Sequence, residues 1–189
     1  MTRCSWAESS EVMRAYHDDE WGMPTADDRL LFEKICLEGF QSGLSWSTIL
    51  TKRDAFRRAF ADFDVECVAA FGDAEIAEIV TDPSIIRHGG KIRSTINNAR
   101  RCRELIAAEG SLATFIWRYE PRSPLEVGAT RCPESEALAR DLKKRGWTFV
   151  GPTTMYAMMQ SLGMVNDHEP DCPTRTIVDT ARARFARPG

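Results

Sequence analysis

The chain has 189 residues, 43% hydrophobic and 28% charged; this usage excludes a largely disordered, collagen-like or coiled-coil protein. The formal net charge of −3 excludes bulk electrostatic binding of nucleic acid, so any such contact must come from a local basic patch. No apolar run approaches the roughly 20 residues of a membrane span, and Met1–Glu8 lacks the apolar centre of a signal peptide.

A cytoplasmic protein without membrane contact is therefore expected, built as a single unit over residues 1–189. Apolar residues recur at helical spacing between capping residues, and strict alternation is nearly absent. The predicted class is all-α, with many short helices. Thr25 or Asp27 opens a segment carrying Leu30, Leu31, Ile35 and Leu37. Ser45 opens another with Ile49, Leu50, Phe56 and Phe60. Asp64 precedes Val65, Val68 and Ala69, and Asp73 precedes Ile76, Ile79 and Val80. Pro83 and Gly89-Gly90 mark a turn. A long helix follows, with Ile92, Ile96, Ala99 and Ile106 on one face and Gly110 as its stop. Leu112, Phe115 and Ile116 continue the pattern briefly. Residues 121–133 read as the longest loop, and 134–145 as a helix closed by Gly146. Pro152 suits a first helical turn, before Met155, Met158, Met159 and Leu162 on one face. The Arg-rich tail from Pro173 is expected to be partly mobile.

Six cysteines at 4, 36, 67, 102, 132 and 172 contain no CxxC pair, which argues against a thiol redox protein. Cys4 and His17 lie near the start; His168 and Cys172 lie near the end. Two thiolates and two imidazoles form a closed zinc set of the structural kind. The His-x3-Cys spacing is workable on a turn, which Pro170 favours. A metal there would tie the two chain ends together. The alternative is four unrelated polar residues near frayed ends.

From Ser84 to Arg103 there is no acid but six cations: Arg87, Lys91, Arg93, Arg100, Arg101 and Arg103. A short helix, a glycine turn and a long basic helix have the layout of a helix-hairpin-helix over residues 73–107, which would grip a DNA backbone through Arg87, His88, Gly89, Gly90 and Lys91. A solvated basic helix face is the alternative. Trp6, Tyr16, Trp21 and Trp46 crowd the first quarter, with Glu38 among them. Aromatics plus one carboxylate suit a flat cationic ligand; the alternative is that the tryptophans are core.

Several long motifs occur in order: Arg3-Cys4-Ser5-Trp6, Ala15-Tyr16-His17-Asp18-Asp19-Glu20-Trp21-Gly22-Met23-Pro24, the run from Leu31 to Trp46, Ile85 to Ile92, Asn98-Ala99-Arg100, Leu142 to Gly146, Phe149-Val150-Gly151, and Leu162 to His168. Together these resemble the bacterial 3-methyladenine DNA glycosylase I family over residues 3–172. The loop at 121–133 and the tail after Cys172 are poorly matched.

The resemblance implies a helix-hairpin-helix glycosylase fold, with one structural zinc on Cys4, His17, His168 and Cys172. Zinc-anchored terminal segments would span residues 1–24 and 147–175. It implies that Glu38 and Tyr16 hydrogen-bond an extruded base, that Trp46 stacks on it and that Trp6 is nearby. Glu38 is the expected principal catalytic residue. The implied substrate is 3-methyladenine, and in second place 3-methylguanine, in alkylated double-stranded DNA. Free 3-methyladenine is the product of a monofunctional, monomeric enzyme. Many related hairpin glycosylases carry an Asp after the hairpin helix. Between Arg103 and Ser135 every acid is Glu, and the resembled family is likewise without that Asp. Leu44 and Gly43 are candidates, by position, for filling the gap left by the base. The rival readings are a non-catalytic damage sensor and a metallohydrolase using Glu38 with zinc-bound water.

Overall fold

The computed structural model describes residues 2–123, 125 and 128–189, and among them every regular element is helical. Eleven α-helices follow a 3-10 turn at Ser5–Ser9: α1 (Glu11–Asp19), α2 (Asp28–Gln41), α3 (Trp46–Thr51), α4 (Arg53–Ala59), α5 (Val65–Ala70), α6 (Asp73–Ile79), α7 (Gly89–Glu109), α8 (Leu112–Trp117), α9 (Pro133–Lys144), α10 (Pro152–Ser161) and α11 (Pro173–Arg184). A second 3-10 turn, Ala61–Phe63, separates α4 from α5.

Three of the predicted caps start their helices, whereas α6 is capped at Gly72 and Asp73 is its first residue. The Asp27 carboxylate accepts from the backbone N–H groups of Arg29 and Leu30, Ser45 from Thr48, and Asp64 from Cys67. Each contact satisfies an orphan N–H of a first turn, a contribution of about 1 kcal/mol. Asp28 adds a long-range cap: its carboxylate accepts from Leu112 N (3.0 Å) and Ala113 N (2.8 Å), joining α2 to the start of α8.

The core forms around α2 and α7. Leu31, Phe32, Ile35 and Leu37 of α2 are buried with Ile92, Ile96, Ala99 and Leu105 of α7. α5 lies along α7, and α10 packs on both α2 and α9. All six cysteines are free thiols.

The structure departs from two sequence expectations and adds one helix. The Ser45 segment is two helices, broken at Lys52 (φ −97°, ψ 1°). The Lys52 ammonium at the break donates to Ser84 O at 2.9 Å, on the approach to the hairpin. Helix α1 had no forecast; Ser10 caps it by accepting from Met13 N. The tail is ordered as α11. Val178 is fully buried, and Arg182 donates to Met164 O at 2.9 Å. Arg187 donates to Glu120 at 2.8 and 2.9 Å. Its charges meet a carboxylate from the middle of the chain, which composition cannot reveal.

The two ends of the chain meet at glycines. Gly22 N donates to Ser161 O at 3.2 Å. Gly163 has a φ of +67°, and a Cβ there would lie 2.2 Å from Gly22 O. Both the positive φ and the backbone collision forbid a side chain. Gly163→Ala should therefore lower stability by about 2–4 kcal/mol, and the melting temperature by about 5–10 °C. An unchanged melting curve would show that this close approach does not constrain the fold.

Candidate active site and metal centre

Five segments converge on one open cavity of about 470 Å³. The 3-10 turn brings Trp6, α1 brings Met13 and Tyr16, and α2 brings Glu38 and Gln41. Trp46 opens α3, and Gln160, Asp167 and Glu169 come from α10 and the turn beyond it. All four residues predicted around the base therefore face the same space. The Tyr16 and Trp46 rings lie 5.4 Å apart, and Trp6 lies 6.4 Å from Tyr16 and 5.0 Å from Trp21.

Glu38 is 5% exposed. Burial pushes its carboxyl up to about 7, against the opposing effect of Lys34 one helical turn earlier. Lys34 was not predicted. Its ammonium donates to the Tyr16 hydroxyl at 2.9 Å and lies 4.6 Å from the centre of the Tyr16 ring and 4.7 Å from that of Trp46. Burial lowers Lys34 to about 8, opposed by Glu38 and Glu20. The i,i+4 spacing of Lys34 and Glu38 was the available signal, but such pairs are usually surface pairs. Burial also holds the Tyr16 phenol well above its ordinary range, so it is neutral. Asp167 was missed as well. Its Oδ2 accepts from Tyr156 at 2.7 Å and Gln160 at 2.8 Å.

Beside this cavity the four candidate ligands form one buried cluster, with ligand atoms all within 4.8 Å of one another. His168 Nδ1 lies 3.5 Å from Cys4 Sγ, 3.7 Å from Cys172 Sγ and 3.1 Å from His17 Nε2, and His17 Nε2 lies 3.5 Å from Cys172 Sγ. A tetrahedral zinc requires ligand separations of roughly 3.3–3.8 Å, given metal bonds of about 2.0–2.3 Å. The three sulfur separations of 3.5–3.7 Å lie in that range and the two imidazole nitrogens, at 3.1 Å, are slightly closer; the outer contacts support the same set. His17 Nδ1 pairs with Asp18 Oδ1 at 2.8 Å, and His168 Nε2 with Trp21 O at 3.1 Å. Each contact fixes the ring so that its other nitrogen faces the cluster. Cys4 Sγ accepts from Glu169 N at 3.2 Å.

On the hairpin side, α6 and α7 are joined by residues 80–88. His88 caps α7 by accepting from Lys91 N at 3.2 Å, and the N–H groups of Gly89 and Gly90 open the helix. Arg87 and His88 are exposed. Lys91 departs from the expectation of a DNA contact. Its ammonium is turned inward, donating to Phe40 O at 2.8 Å and Ser42 O at 2.6 Å. An ammonium finds those carbonyls unpaired at the C-terminus of α2, so it locks hairpin to helix. Arg100 is likewise committed, to Ala69 O and Phe71 O.

The Lys34 charge holds down the titration of Glu38. In Lys34→Met the Glu38 carboxyl should titrate clearly above pH 7, followed by carbon-13 chemical shifts. An unmoved titration would show that burial alone sets it.

A methyladenine glycosylase family model matches residues 6–176. The DNA-3-methyladenine glycosylase 1 of Escherichia coli K12 is 43% identical over 179 residues, spanning 91% of this chain and 96% of the relative. The DNA-3-methyladenine glycosylase of Haemophilus influenzae is 41% identical over 182 residues, spanning 93% and 98%. The solved Staphylococcus aureus 3-methyladenine DNA glycosylase I, a study of 3-methyladenine recognition, superposes with a TM-score of 0.86. It is 33% identical and covers 91% of this chain and 95% of that one. With a family model matching residues 6–176, relatives above 40% identical over nine-tenths of its length and a shared fold, this chain belongs to the methyladenine glycosylase family.

Proposed function

We propose that the protein removes 3-methyladenine from alkylated double-stranded DNA, hydrolysing the bond between C1′ and the base as the first step of base excision repair. The observation that carries this reading is the cavity itself: aromatic walls around one buried carboxylate. N3-methylation makes adenine a flat cation. The glycosidic bond is weakened because the base departs neutral, so the protein must mainly extrude, hold and orient it.

Trp46 supplies a π face to the cationic ring and Tyr16 a hydrogen bond through its hydroxyl, with Trp6 closing the space beside them. Glu38, once ionised, accepts a hydrogen bond from the exocyclic amino group and balances the ring charge. Normal adenine is neutral, pairs well and gains less from both. A 3-methylguanine base carries an oxygen where Glu38 expects a donor, which ranks it second.

The backbone is gripped by the hairpin through Arg87, His88 and the amides of Gly89 and Gly90. The Lys91 side chain contributes by fixing the hairpin, not by touching phosphate. Leu44, 41% exposed after Gly43, is placed to enter the gap left by the base. The protein acts as a monomer in the cytoplasm, where its six thiols stay reduced.

The cluster of Cys4, His17, His168 and Cys172 would hold one structural zinc. Four protein ligands leave no position for water, so the metal's role is to fasten the chain ends. This disfavours a metallohydrolase using Glu38.

Free bases released from methylated duplex DNA, separated by chromatography, test the activity. Release of 3-methyladenine with turnover is expected; a folded, DNA-binding protein that releases none would be a damage sensor instead. Glu38→Gln should reduce kcat/KM about 10- to 100-fold, the loss of one charge-assisted hydrogen bond. The carboxylate form accumulates as pH rises through about 7. Wild-type kcat/KM should therefore climb through that range and level off, and the Gln variant should lack the climb. A shared pH profile would remove Glu38 from the mechanism.

Elemental analysis should find about one zinc per chain, and Cys172→Ala should lose it and melt roughly 10 °C or more lower. Well under stoichiometric zinc in fresh protein would contradict the metal assignment.

A further inference from the structure

Phe149 combines solvent exposure, a strained backbone and firm bracing. It is 40% exposed, the aromatic one among the exposed large apolar side chains Val12, Leu30, Leu44, Phe149 and Ile177. Its φ is 56°, in the left-handed region that bulky side chains avoid. Its surroundings hold it there firmly. Thr148 N donates to Asn98 Oδ1, and Asn98 Nδ2 returns a bond to Thr148 O, both at 2.9 Å. Asn97 donates to Gly146 O at 2.8 Å, and Ser94 meets Thr148 Oγ1 at 2.7 Å. Trp147 and Val150 are buried on either side. A backbone strained and braced in this way, yet displaying its ring to solvent, points to use of the ring.

The location defines the use. The Phe149 ring is 6.4 Å from that of His88, at the opening of α7. Its Cβ lies 3.4 Å from where a Cβ on Gly39 would stand, so the loop rests on the end of α2. The same α2 end leads into the turn carrying Leu44, and Lys91 ties that turn to α7. Phe149 thus stands beside the hairpin turn, near exposed Arg87 and Arg93, and exposed Leu44 follows two residues after the Ser42 carbonyl that Lys91 holds. An apolar wedge among backbone-gripping groups is the arrangement that unstacks and bends a duplex.

We infer that Phe149 is a DNA-contacting wedge, seating its ring against the bases of bound double-stranded DNA beside the hairpin. The inference rests on the DNA-acting reading above.

Phe149→Gly and Phe149→Ala test it, with binding to a duplex carrying a tetrahydrofuran abasic analogue read by fluorescence anisotropy. Both should bind about tenfold more weakly or worse, the size of one lost stacking contact. Affinity for free 3-methyladenine should stay within about twofold, since the ring is outside the base cavity. Glycine accepts the left-handed φ, so Phe149→Gly should melt no lower than wild type. Wild-type duplex affinity in both variants would overturn the wedge. So would parallel losses of melting temperature and free-base binding, which mark a structural ring. If wild type releases no 3-methyladenine while both variants still lose the duplex, the wedge stands and the glycosylase reading falls.

Discussion

Much of the site depends on one constraint, the joining of the two chain ends at Cys4, His17, His168 and Cys172. Four of the cavity residues are sequence neighbours of these ligand candidates. Trp6 follows Cys4 by two positions, Tyr16 precedes His17, and Asp167 and Glu169 flank His168. Two cavity walls therefore come from opposite ends of the chain, and neither is held by α2 alone. The Gly22–Gly163 approach and the burial of Val178 tighten the same junction. A metal at this point would convert its binding energy into the shape of a pocket several residues away.

The second organising feature is electrostatic. Glu38 is buried where a carboxylate is costly, and the charge that lowers that cost, Lys34, sits behind the aromatic walls. The free pocket is poised near neutrality. A cationic base entering it would add a second positive charge that favours the Glu38 carboxylate, whereas a neutral one would leave Lys34 as its only counter-charge. Selectivity and catalysis would then have the same source, because the ring charge that draws the base in also loosens its glycosidic bond.

Helix starts and the long helix were legible in the sequence, because Asp27, Ser45, Asp64 and Gly110 act through local hydrogen bonds and backbone preference. The break at Lys52 was not, since helical apolar spacing survives a one-residue interruption. Helix α11 was hidden because Arg182 and, just beyond the helix, Arg187 read as solvated until Glu120 is brought to them. The cavity was legible as a set of residues but not as a mechanism. Lys34 looks like half of a surface pair until Tyr16 and Trp46 close over it. Lys91 looks like a phosphate contact until the end of α2 presents its carbonyls. Phe149 gave no signal in residue type; its backbone angle and exposure exist only in three dimensions.

Titration of free 3-methyladenine into the protein, followed by tryptophan fluorescence, tests most directly whether the joined ends build the pocket. It would be run on fresh protein, after chelation, and after zinc is restored, with helical circular dichroism monitored throughout. Binding should be lost on chelation while most helix remains, and should return with zinc. Undiminished binding in metal-free protein would show that the base pocket stands without the metal.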